Sequence, residues 1–158
     1  MNRDEITEFS ALISRFFRAM DAREFPVGWA GEHFTTDARL SSPIGSAEGI
    51  EEVAAHVAES VRRFARTQHT SSDVLVESAD PVVLTWNALM THVHAESTLL
   101  ARGPGANPVF QVGGLWRAEL RSTPDGPRIS DLSHEAIWIT GQPPALPEGV
   151  RPVVAGSR

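Results

Sequence analysis

The chain has 158 residues, 41% of them hydrophobic and 22% charged, with a formal net charge of −6 and no cysteine. This is the composition of one globular domain with a core of its own. The acidic balance weakens a nucleic-acid reading, which needs a basic stripe, and the missing cysteines exclude disulfides, thiolate nucleophiles and Cys-ligated zinc. The opening "MNRDEITEF" carries acids early and has no apolar core of a secretory signal, and the stretches without charge are short or carry Pro, Gly and His. The expectation is a cytoplasmic protein with no membrane and no nucleic-acid partner.

Residues 4–22, "DEITEFSALISRFFRAMDA", predict an amphipathic helix, because Ile6, Phe9, Leu12, Ile13, Phe16, Phe17 and Met20 recur at helical spacing. Asp4 and Glu5 suit its N-terminal end. Pro26 and Gly28 break it, "WAGEHF" predicts a short helix, and "TTDARLSSPIGSAEG" predicts turn and short strand. A second helix is expected over about 48–66, with Ile50, Val53, Val57, Val61 and Phe64 on one face. After His69 the character changes to strands. "DVLVES" and the long run "VVLTWNALMTHVHAES" alternate, the latter placing Trp86, Ala88, Met90, His92, His94 and Glu96 on one face. "RGPGANP" predicts a hairpin loop, "VFQVGGLWRAELR" a strand bent or bulged at Gly113–Gly114, "STPDGPR" a turn and "ISDLSHEAIWITG" a last strand. Helices first and a mostly antiparallel sheet afterwards define an α+β fold with the helices on one face. A sheet bent strongly enough leaves a conical pocket. The domain spans 1–141, and the proline-rich 142–158 forms a mobile or draped tail.

Two side chains stand out as chemistry. Asp21 closes the first helix, where the helix dipole disfavours an acid. The bland alternative is a solvated acid. His69, in "RTQHTSSDVLV", precedes the first strand of the sheet. Either it is a turn residue in water, or it is a general base whose tautomer a carboxylate fixes. His92, His94 and Glu96 make an H-x-H-x-E pattern that, with His134, offers a metal reading. The pocket reading is preferred: Phe17, Trp86, Met90 and Trp116 supply an apolar lining and the histidines its polar end, with no metal. No phosphate loop and no G-x-S-x-G are present.

"FFRAMDAREF", "HFTTDARL…PIGSAEGIEEV", "RTQHTSSDVLV" and "GGLWRAELRSTPDGPRISDLSHEAIW", in this order, resemble the SnoaL-like branch of the nuclear transport factor 2-like superfamily over about residues 5–141. The resemblance implies a cone: a curved sheet wrapped by helices around a deep pocket, in many members as a homodimer. Scytalone dehydratase and hexachlorocyclohexane dehydrochlorinase of this branch carry an aspartate at the end of the first helix and a histidine before a central strand. These match Asp21 and His69, the pair that removes a proton in the dehydrochlorinase. The dehydratase's second histidine matches His94 or His92. Its tyrosines have no counterpart, since the chain contains none. The dehydrochlorinase's basic residue has no clear match, since Asp131 or Ser133 falls about there, and Pro127 stands where many relatives have tryptophan. The implied function is a lyase, isomerase or cyclase acting without a cofactor on a small, oxygenated, polyketide-like molecule. Asp21 and His69 form its base, and His94 or His92 its acid. A non-catalytic ligand-binding protein of the same fold is the first alternative, and a His-ligated metal enzyme the second. The outer face of the sheet, with Leu89 and Val93, is the expected dimer surface.

Overall fold

Helix α1 (Arg3–Ala22) starts at a capping box. The Asn2 side chain accepts from the Glu5 backbone N–H at 3.0 Å, and the Glu5 carboxylate accepts from the Asn2 N–H at 2.6 Å. Its stripe of Phe9, Leu12, Ile13, Phe16, Phe17 and Met20 is buried, as the spacing predicts. Full burial of each such side chain contributes about 1.5–3 kcal/mol. Arg23 ends the helix in the left-handed region at φ 55°. The computed structural model describes residues 2–72 and 74–145.

A single 3₁₀ turn, Trp29–Glu32, leads into β1 (Phe34–Ser42) and β2 (Gly45–Glu48), a hairpin ahead of α2 (Ile50–Arg62). Then come β3 (Phe64–Ser71), β4 (Leu75–Ala79), β5 (Val82–His94), α3 (Glu96–Arg102), β6 (Val109–Thr123) and β7 (Gly126–Thr140). Three expectations are corrected here. Strands begin well before His69, which lies inside β3. The second helix is shorter than 48–66, since Gly49 (φ 82°) precedes it and Phe64 already belongs to β3. Glu96 leaves the β5 face and begins α3, so the H-x-H-x-E pattern does not extend along one strand. β2 and β3 end the main strand order, and their outward polar residues hide the alternation. Asp73, expected to open a strand, lies outside the described residues.

The strands form one curved, unclosed sheet in the order β2-β1-β7-β6-β5-β3, with β4 also paired to β5. All pairs are antiparallel except β1–β7, which is parallel. The register of β6 on β7 shifts between Gly113 and Gly114, the bend expected at that dipeptide. A Cβ on Gly113 would lie 2.2 Å from the Trp138 ring, and one on Gly114 2.8 Å from the Glu135 carbonyl oxygen. The bend therefore requires both glycines. Helices α1 and α2 cover the concave face and enclose the core with it. The first tail residues belong to this body. Arg102 donates to the Pro143 carbonyl at 2.6 Å and Arg63 to the Ala145 carbonyl at 3.1 Å. The remainder of the tail, 146–158, lies outside the described residues. Among those described, no helix is long and apolar enough to cross a membrane.

Candidate active site

Strand β3 is an edge strand, so its outward N–H groups have no neighbouring strand to pair with. Alternation puts Thr67 and His69 on the same side. The end of α1 lies against that edge, and Asp21 meets three donors there. The Thr67 hydroxyl donates to Oδ1 at 3.0 Å, the His69 backbone N–H to Oδ2 at 2.8 Å, and His69 Nδ1 to Oδ1 at 2.6 Å. These bonds explain how an acid is held at a helix C-terminus that its dipole disfavours. Partial burial alone pushes the Asp21 carboxyl up, but the His69 and Thr67 bonds outweigh it and hold Asp21 below its ordinary 3.8. A carboxylate only accepts, so Nδ1 of His69 carries the proton. In the neutral ring Nε2 is then a bare lone pair. The His69 side chain is 2% exposed and packs on the Phe17 ring at 5.3 Å between centroids.

His69 forms part of the wall of a cavity of about 120 Å³ between the helices and the concave sheet. One buried water needs roughly 10–15 Å³ by this measure, so the space holds a small organic molecule. The wall is mainly apolar. Phe16 and Met20 come from α1, Val57 and Val61 from α2, and Met90, Val112 and Leu132 from the sheet. Pro143 and Pro144 of the tail border it as well. Four imidazoles interrupt the apolar surface: His56, His69, His92 and His134.

Their hydrogen bonds assign each a different capacity. His92 Nδ1 faces the Phe110 carbonyl at 3.1 Å, and since a carbonyl only accepts, Nδ1 carries the proton. Nε2 of His92 is left as an acceptor. Burial, with the neighbouring His69 second, pushes the ring down to about 4, so it is neutral near pH 7. Its ring lies edge-on to His69 at 5.8 Å. His56 Nε2 bonds the Ser42 hydroxyl at 3.1 Å, and burial, then Arg63, pushes its ring down. His134 stacks on Trp116 at 4.2 Å with 13° between the planes. Burial pushes it down to about 3.

The cavity brings together Met90, His92, Trp116 and His69, with Asp21 behind His69. It does not bring in the others. Phe17 is buried beneath His69 and Trp116 rather than on the wall. Trp86 is 2% exposed and stacks behind Trp116 at 5.9 Å. His94 shares the alternation of Met90 and His92 but lies past the cavity's end. Its Nε2 sits 2.8 Å from the Gln142 carbonyl and 3.1 Å from Arg102, and its Nδ1 is buried without a partner. The acid role expected of His94 therefore has no geometric support. Among the described residues no three His, Asp or Glu side chains are grouped as metal ligands would be. The sequence presents His134 as a metal ligand and carries no signal that singles out His56. The signal for His134 was present: Leu132, His134 and Ala136 alternate toward the cavity.

A family profile described as the SnoaL-like domain matches residues 2–133. A search among curated proteins finds no match. Solved structures give strong similarity at low identity. A Kribbella flavida protein has a TM-score of 0.74 and 16% identity, covering 85% of this chain and 91% of its own. A nuclear transport factor 2-like superfamily protein from Salmonella enterica serovar Typhimurium has a TM-score of 0.70 and 13% identity, covering 92% and 97%. A hexachlorocyclohexane dehydrochlorinase from Novosphingobium barchaimii has a TM-score of 0.66 and 19% identity, covering 93% and 92%. At these identities the likeness concerns the fold. Profile, fold and cavity agree, and the chain belongs to the SnoaL-like family within the nuclear transport factor 2-like fold.

Proposed function

We propose that the protein is an enzyme that begins its reaction by taking a proton from a carbon acid, with His69 Nε2 as the base and Asp21 as its orienting partner. The observation that carries this reading is the 2.6 Å Asp21–His69 Nδ1 bond, which leaves Nε2 as the ring's acceptor in an apolar cavity. As His69 takes the proton, the imidazolium gains the Asp21 carboxylate as its counter-charge. The apolar wall strengthens that attraction by excluding water. No cofactor is required for this step. The substrate is a small, oxygenated, polyketide-like molecule without formal charge, because the imidazoles His92 and His134 that meet it are neutral. Elimination of a hydroxyl, isomerisation or ring closure then follows from the same carbanion. His92 acts as an acceptor for a substrate hydroxyl rather than as the acid.

The protein acts as a cytoplasmic homodimer in this reading. Leu89, Leu115, Ile137 and Trp138 are 40–49% exposed on the convex side of β5, β6 and β7, an apolar patch suited to a second copy. The test is proton exchange. Wild-type protein and His69→Ala are incubated in D2O with a panel of neutral β-hydroxyketones and 1,3-diketones, and deuterium uptake is read by mass spectrometry. Uptake on one class that is lost in His69→Ala supports the reading. Equal uptake in both, or in neither, makes the cavity a binding site only.

A further inference from the structure

Proton removal from a carbon next to a carbonyl moves the C–H electron pair into a C=C bond and leaves negative charge on the oxygen. A cavity that promotes the step needs a donor for that oxygen. Neither the base itself nor the imidazole edge-on to it can supply it. His69 Nδ1–H is committed to Asp21, and His92 Nδ1–H to the Phe110 carbonyl. Their remaining nitrogens are both acceptors. His94 is outside the cavity. The Ser60 hydroxyl donates to the Val57 carbonyl at 2.7 Å, and Ser42 bonds Gly45 and His56.

Arg63 Nε and Trp116 Nε1 also lack partners in the cavity wall, but both atoms are enclosed by protein and present no surface to a ligand; His134 differs from all of these. It lies on β7, across the curl of the sheet from β3, and borders the same cavity. Among the described residues, neither of its ring nitrogens bonds another protein group. A neutral ring must carry one N–H, and nothing in the protein dictates which nitrogen bears it. Its plane is nevertheless fixed, because Trp116 stacks flat against it and is itself 3% exposed. The result is a rigid, uncharged donor opposite the base.

We propose that His134 is the catalytic hydrogen-bond donor to the substrate oxygen on which negative charge develops. This rests on the proton-abstraction reading of the same cavity. His134 donates without giving up its proton: the carbon's proton goes to His69 Nε2, and the charge rests on oxygen against the His134 N–H. A neutral imidazole suits this task, since its N–H remains in place throughout the step.

The test uses 4-nitrophenol, whose phenolate imitates an enolate oxygen and whose ionisation is read directly from its absorbance. Affinities for phenol and phenolate forms are measured for wild type, His134→Phe and His134→Gln. The ratio of phenolate to phenol affinity is expected to fall about tenfold or more in His134→Phe, which keeps the stacked ring but has no N–H. His134→Gln, which restores a donor, should recover part of it. In ¹⁵N-labelled wild type, the His134 N–H proton should move downfield when phenolate binds, a reading that needs no variant to fold. An unchanged ratio in His134→Phe with no shift of that proton, including no phenolate binding to either protein, overturns the proposal. Failure of the base reading is separate: it appears as deuterium uptake that persists in His69→Ala, whatever the phenolate ratio does.

Discussion

His69 and His94 sit on paired strands, β3 and β5, and both are nearly inaccessible, at 9% and 3% exposure. Burial does not separate them; the fate of their nitrogens does. At His69 the carboxylate of α1 takes Nδ1 and leaves Nε2 to the cavity. At His94 the tail and α3 converge on Nε2, while Nδ1 is enclosed. In the proposed reading one imidazole is a base; the other is a strut at the end of β5, whose Nε2 either donates to the Gln142 carbonyl or accepts from Arg102. A histidine acquires a chemical role from which nitrogen is left free, and that is decided by groups distant in sequence.

The largest break in this comparison is His69→Ala. It should lower turnover of the true substrate by about 10⁴-fold, the upper end of general-base contributions. The rate constant kcat/KM is the readout. Asp21→Asn should follow with a loss of about 10²-fold, because an amide oxygen still accepts a hydrogen bond but provides no counter-charge to the imidazolium. The same variant has a stability signature. The folded pKa of Asp21 is depressed, so its contribution is complete above about 4 and is lost as pH falls through the lower folded value. Wild type should lose that increment in acid unfolding experiments, and Asp21→Asn should not.

A smaller effect concerns His92. Its ring is held down to about 4, so on acidification from about 6.5 the unfolded chain takes up a proton before the native one does. Native stability should therefore decline as pH falls from about 6.5 to 4, and His92→Phe should flatten that decline in denaturant titrations. A slope unchanged by the substitution would contradict the neutral, Phe110-bonded ring. The smallest kinetic effect is expected at His94→Ala. Turnover should stay close to wild type while Tm falls, by about 2–4 °C for each kcal/mol lost. A severe kinetic loss with an unchanged Tm would return His94 to the chemistry.

Much of the frame is legible because it depends on local periodicity. The stripe from Phe9 to Met20 and the alternation from Val82 to His94 each follow from one element meeting one core. The hairpin of β1 and β2 is legible only as turn and short strand, because only Phe34, Ala38, Leu40 and Ala47 face inward among polar neighbours. β3 was hidden for the same reason: an edge strand with Arg66, Gln68 and Thr70 outward looks like a turn. The dyad was suggested by position and family likeness, but its three donors depend on α1 meeting the open edge of β3. The separation of His92 from His94 was not legible, since alternation places both on one face. Only the sheet's curl and the returning tail put one inside the cavity and the other past its end.

The division of His69, with a bare Nε2 and an Nδ1–H held by Asp21, is open to direct measurement. It is tested most directly by ¹⁵N and ¹H NMR of histidine-labelled protein, at a pH high enough for the imidazoles to be neutral. His69 should show a protonated Nδ1 with a strongly downfield proton, lost in Asp21→Asn, and an unprotonated Nε2. A His69 ring with its proton on Nε2, or a downfield proton that survives in Asp21→Asn, would contradict it.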